Sequence, residues 1–122
     1  MSVFGDHRLE DLRRAAAAFA DERDWERFHR ARSLLLALTS EVGEAADVLR
    51  WERDEDGVPP GRHREWAHEL ADIAIMLVRL ADVTDVDLGA AFLDKLAIAA
   101  ERYPADRFRG SKRKYDAHQT GA

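Results

Sequence analysis

Two short motifs carry the chemistry this chain offers: Glu41-x-x-Glu44 and Glu69-x-x-Asp72. Residues three apart lie on the same side of a helix, so each pair can present two oxygens to one ion. Two antiparallel helices can then bring the pairs face to face. The ordinary reading of such a pair is a solvated charged face, but the helical projection argues otherwise here. Glu69 and Asp72 fall on either side of Met76 and beside Ile73 and Leu80, on the stripe expected to face the core. Glu41 lies near Leu34, Ala37 and Val48, at the margin of the stripe made by Leu35, Leu38, Val42 and Leu49. Between Leu70 and Ala81 the only charged residue besides Asp72 is Arg79. Carboxylates removed from water without compensation are strongly destabilising, so a cluster of them predicts cations.

All-oxygen ligation by Asp and Glu suits magnesium, manganese or calcium, and magnesium in particular where phosphates complete the shell. A di-iron bundle is the competing metal reading. It expects Glu-x-x-His on two helices, and neither pair has His at the third step. Asp47 continues the spacing from Glu44 and reads as solvated, with a further ligand or a group behind the ligands as alternatives.

Four helices are needed to position these groups. Leu9, Leu12, Ala16 and Phe19 form one stripe of a first amphipathic helix over residues 8–23, helped by the alanine run at 15–18. Residues 24–30 break the pattern with two aromatics, a His and alternating charge, and read as a loop that holds side chains over a site. A second helix is expected over 32–51. Gly57, Pro59, Pro60 and Gly61 then mark a surface connection over 52–64. The third helix, over 65–82, is the most apolar, and the fourth, over 88–103, starts after Asp87 as N-cap and stops before Pro104. The expected fold is all-α, an antiparallel four-helix bundle in one domain spanning 1–122, with an ordered core over about 8–104 and a basic tail over 105–122.

Composition narrows the function. The chain has 122 residues, 46% hydrophobic and 35% charged, enough for one folded domain but short for a monomer with a deep pocket. Its formal net charge of -5 disfavours binding to a nucleic-acid polymer. The absence of cysteine removes disulfides, thiolate nucleophiles and Cys-type zinc sites and favours a reducing compartment, so a cytoplasmic location is expected. The longest apolar run, Ile73 to Val78, is too short to span a bilayer, so no membrane role is expected. The third helix is apolar nearly all round, with Ile75 and Val78 opposite the Ile73 and Leu80 side. A chain this small cannot cover both faces, which predicts an oligomer.

The segments Arg23-Asp24-Trp25-Glu26, Phe28-His29, Leu34-Leu35-Leu36-Ala37-Leu38, Glu41-Val42-Gly43-Glu44 and Trp51 closely resemble the dCTP pyrophosphatase branch of the MazG-like nucleotide pyrophosphohydrolases. The similarity continues through Glu69-Leu70-x-Asp72, Val86-Asp87-Leu88, Lys95, Arg102-Tyr103-Pro104 and Arg113-Lys114-Tyr115, nearly the whole chain. The resemblance implies an all-α homotetramer, a dimer of dimers, that hydrolyses a nucleoside triphosphate to the monophosphate and pyrophosphate. Glu41, Glu44, Glu69 and Asp72 would hold Mg2+, with Mn2+ as a substitute, and these four with Lys95 form the implied catalytic set. The metal would neutralise the triphosphate and activate a water. Lys95, Arg102, Lys112, Arg113 and Lys114 are candidates for phosphate oxygens, set against a solubilising helix end and basic tail. Tyr103 and Tyr115 serve either the substrate or packing. Trp25, His29 and Trp51 would line the base pocket, where an aromatic face stacks on a nucleobase. Trp66 reads as structural.

The sequence also departs from the family's pattern. Lys95 is followed by Ala97 and Ala99 where relatives carry Asp and Asn. Met76, Ser33 and Ala16 stand where relatives often carry Tyr, Asn and His. Three functions fit this sequence. The first is a housecleaning enzyme acting on a pyrimidine deoxynucleoside triphosphate such as dCTP or a modified dCTP. The second is a nucleotide-binding regulatory oligomer with little or no turnover. The third is a structural helical oligomer whose carboxylates pair with arginines such as Arg79.

Overall fold

Acidic residues open the first helix and a left-handed aspartate closes it. In the computed structural model, which describes residues 3–111, α1 runs Leu9–Glu22 with Glu10 and Asp11 in its first turn, where the helix dipole favours negative charge. The Asp11 carboxylate accepts from the Arg8 backbone N–H at 3.4 Å. At the other end Asp24 adopts φ 55°, so that Trp25 N–H reaches the Ala20 carbonyl at 2.9 Å and Asp24 N–H reaches Asp21 at 3.0 Å. This is a Schellman motif with aspartate where glycine is usual. The 24–30 connection contains a single 3₁₀ turn, Glu26–Phe28.

The second helix, α2, spans Ala31–Leu49, and the third, α3, spans His63–Val83. Between them the proline- and glycine-rich segment forms two 3₁₀ turns, Asp54–Asp56 and Pro60–Arg62. The second turn runs directly into α3, which therefore begins two residues earlier than the pattern suggests. The Arg62 guanidinium caps the end of α2 by donating to the Val48 carbonyl at 3.3 Å while its other nitrogens hold Glu65. α3 ends as α1 does, with Asp85 at φ 56° and Val86 N–H bonded to Ala81 at 2.9 Å. It packs against α2 along its length and against α1.

The fourth helix, α4, spans Leu88–Arg102, and the Asp87 carboxylate caps it by accepting from Ala90 N–H at 2.9 Å. Residues 105–108, expected to begin the tail, form a further helical turn, α5 (Ala105–Phe108). Pro104 fixes its entry, and the Phe108 ring meets Tyr103 edge-on at 4.9 Å. The described residues are all helix and connection, without a strand. They fall into two compact units divided between Val86 and Asp87: α1 to α3 make the first, α4 and α5 belong to the second.

The buried residues of the first unit are Ala20, Leu34, Ala45, Val48, Val78 and Arg79. This corrects the expected stripe on α2. Leu35 and Val42 are half-exposed, whereas Leu34 and Val48 are 3% and 2% exposed. Both stripes are apolar, and the one turned toward α3 contains the glutamate. Val78, expected on the outward side of α3, is buried, while Ile75, expected beside it, is half-exposed.

Candidate functional site

Leu34, Glu41 and Val48 are spaced by seven, two turns each, so Glu41 lies on the buried line of α2 between two of its least exposed residues. Glu44 follows one turn on. On α3, Glu69 and Asp72 take the matching positions, and the antiparallel packing brings the two pairs together. One oxygen from each of Glu41, Glu44, Glu69 and Asp72 lies within 4.8 Å of the others.

Nothing within the described residues neutralises this cluster. None of their ion pairs includes one of the four carboxylates, and Glu41 Oε2 and Glu69 Oε2 are buried without a hydrogen-bond partner. Burial first, then the charges of Glu44 and Asp72, push the Glu41 and Glu69 carboxyls above the ordinary carboxylate range. Orphaned carboxylate oxygens converging from two helices are the donor set a hard divalent cation takes. Asp47, one turn beyond Glu44, is exposed and 4.0 Å from Arg50.

Arg79, the cation best placed in sequence to quench the cluster, is engaged elsewhere. It is 4% exposed, donates from Nη1 to Asp82 Oδ2 at 3.1 Å, and donates from Nε to His29 Nδ1 at 3.1 Å. Asp82 is held on its other oxygen by Arg13 of α1 at 3.3 Å. The chain of contacts Arg13–Asp82–Arg79–His29 thus ties the 24–30 connection to two helices. In the sequence its only sign is one arginine in an apolar stretch.

The aromatic candidates divide. Trp25 stands on Phe19 edge-on at 5.7 Å, with the Arg23 guanidinium 3.6 Å over the same Phe19 ring, and remains 44% exposed. Trp51 follows the far end of α2, 84% exposed, with Arg50 4.8 Å over its ring. α2 has 19 residues, about 28 Å by helical rise, between the Trp25–His29 segment and Trp51. Within one chain the three do not line one base pocket together. Trp66 is half-buried.

In the second unit, Lys95 lies on an apolar stripe of α4, in an open concavity lined with Leu88, Ala91, Phe92, Leu96 and Ala99. Arg102 closes α4 and Tyr103 follows it. Lys112, Arg113, Lys114 and Tyr115 lie outside the described residues.

The fold is that of an all-α pyrophosphatase. A pyrophosphatase from Archaeoglobus fulgidus DSM 4304 superposes with a TM-score of 0.75 at 30% identity, over 80% of this chain and 94% of that one. No family model matches the sequence. Human dCTP pyrophosphatase 1 is 50% identical over 118 residues, 93% of this chain and 69% of the human protein. The Bos taurus protein of the same name is 48% identical over 125 residues, 99% of this chain and 74% of its own length. The chain belongs to the dCTP pyrophosphatase family and is a nucleoside triphosphate pyrophosphohydrolase.

Proposed function

We propose that this enzyme hydrolyses a pyrimidine deoxynucleoside triphosphate, dCTP or a modified dCTP, to the monophosphate and pyrophosphate, with Mg2+ held by Glu41, Glu44, Glu69 and Asp72. The convergence of the four carboxylates without a protein cation is the observation that carries the reading. Magnesium bound there would shield the triphosphate charge and supply the activated water. Glu41 and Glu69, each with one buried oxygen, would hold the ion from the inner side, and the exposed Glu44 would hold it from the solvent side, where phosphate oxygens can enter. Mn2+ would substitute. Lys95, Arg102, Arg113 and Lys114 are assigned to the phosphates, and Tyr103 to the substrate beside them.

Trp25 offers an exposed ring face for stacking on the base, and His29 lies in the same connection. Trp51, at the other end of α2, contributes from a second copy in this reading, within a homotetramer. The exposed apolar side chains Leu35, Leu36, Ile75 and Leu77 support such an assembly. The proposed setting is the cytoplasm, where nucleotide pools lie. No helix among the described residues is long and apolar enough to cross a membrane.

The test is pyrophosphate release from a panel of standard and base-modified nucleoside triphosphates with magnesium, beside Glu41→Gln and Asp72→Asn. Release from a pyrimidine deoxynucleotide, with a monophosphate product and lost in both variants, is expected. Binding of nucleotide with magnesium but no pyrophosphate selects the regulatory reading, which Ala97 and Ala99 favour, and restoring Asp and Asn there then tests the cause.

A further inference from the structure

Arg79 is nearly inaccessible, and its guanidinium can only donate hydrogen bonds. His29 Nδ1, 3.1 Å from Arg79 Nε, must therefore present its lone pair. An imidazolium is excluded by the same contact, because two N–H groups would point at each other. The ring proton of His29 then resides on Nε2. That nitrogen makes no hydrogen bond among the described residues and is not fully buried.

The larger influences on His29 favour the neutral ring. Burial and the Arg79 charge hold its pKa below the ordinary histidine range, against an opposing pull from Glu26 on its own connection. Asp82 and Arg13 stand behind Arg79 and keep it aimed. Arg79 follows Asp72 by seven residues, so it lies on the same face of α3 two turns on, about 10 Å along the helix axis from Asp72. A triphosphate seated on the carboxylates would extend its nucleoside end over such a distance.

We propose that Arg79 is a positioning residue: it fixes His29, which the family resemblance places in the base pocket, as a neutral Nε2–H donor, so that the ring selects a lone-pair acceptor, a carbonyl oxygen or ring nitrogen, on the substrate's base. The proposal rests on the pyrophosphohydrolase reading for the identity of the ligand, but not for the state of the ring. It distinguishes His29 from the carboxylates and basic groups, which act on the phosphate end. A protonatable imidazole would bind phosphate as readily as base, whereas a ring held neutral is selective for an uncharged acceptor.

The experiment has two arms. Nitrogen-detected NMR of the full chain, with the His29 signals assigned by their loss in His29→Gln, is expected to show the proton on Nε2 across neutral pH in the resting protein. In Arg79→Met the ring is expected to titrate in the ordinary range and to exchange between tautomers. Kinetics form the second arm. Arg79→Met and His29→Ala are expected to raise KM about tenfold with kcat nearly unchanged, and His29→Gln, which restores an N–H donor, to recover most of the loss. An abasic deoxyribose triphosphate should be handled equally by all of them.

A proton on Nδ1 in the wild type, or a KM effect as large on the abasic triphosphate, overturns the proposal. Asp82→Asn gives the same readouts in milder form should Arg79→Met not fold. A wild type that releases no pyrophosphate overturns the functional reading instead, and the resting His29 spectrum tells the two failures apart.

Discussion

Arg79 turns toward Asp82, 3.1 Å away and one turn further along the same helix, and not back toward Glu69 and Asp72. A single buried arginine reaching the other way would have quenched the carboxylate cluster and made it a structural ion-pair network. As folded, no cation among the described residues pairs with the cluster.

Magnesium should therefore stabilise the protein as well as activate it. At an excess of about 100-fold over its dissociation constant, a ligand bound only by the folded state adds about 2.7 kcal/mol. Thermal denaturation of the wild type should shift upward with magnesium, and Glu41→Gln and Asp72→Asn should lose the shift. In chelator, Glu41→Gln should be at least as stable as wild type, since it removes one of four mutually repelling charges. A wild-type Tm indifferent to magnesium would contradict the metal assignment.

The pH dependence of the metal-free protein follows from the same cluster. Glu41 and Glu69 have folded pKa values raised above their unfolded ones. Their contribution is fully present below the unfolded pKa and is lost as pH rises through the folded value. Scanning chelated protein from about pH 4 to pH 8, this contribution should decline with pH, and Glu41→Gln should flatten it. With magnesium present the trend should reverse, because ligation requires the deprotonated forms.

Asp85, at φ 56°, occupies the left-handed position that closes α3. Asp85→Gly should stabilise the chain by about 0.5–1 kcal/mol, relieving the steric cost a Cβ incurs there. The urea midpoint measures this, and a fall would show that the aspartate side chain contributes more than its backbone strain costs.

Asp87→Ala removes the side-chain acceptor that caps the start of α4. A loss of about 1 kcal/mol is expected, read from the urea midpoint, with Asp87→Asn nearly neutral.

Half-exposed Leu36 and Ile75 predict a mass in solution above that of one chain. Light scattering on the wild type should give an oligomer, and Leu36→Asp should shift it toward smaller species. A monomeric wild type would remove the basis for a shared site.

Much of this arrangement was legible in the chain itself. The carboxylate pairs announce themselves through spacing of three inside apolar stripes, and the helix limits through Asp87, Pro104 and the Pro59–Gly61 segment. What periodicity could not decide was which of two apolar faces of α2 meets α3. Leu35 and Val42 are as hydrophobic as Leu34 and Val48, and only packing separates them. The helical turn at 105–108 was hidden by its charge, because Asp106 and Arg107 look like tail until Phe108 finds Tyr103. The role of Arg79 was equally illegible, since its partners lie 50 residues back at His29 and three residues on at Asp82.

The placement of the tryptophans gives the protein a built-in optical readout. Trp51 stands almost fully in water beneath the Arg50 guanidinium, Trp25 stands half-covered against Phe19, and Trp66 is half-buried. Their emission should differ in wavelength and in access to iodide. Single Trp→Phe replacements would then turn each remaining indole into a local probe, so that a nucleotide seated on one ring, or a neighbouring copy covering another, is recorded as a separate spectral event without any label.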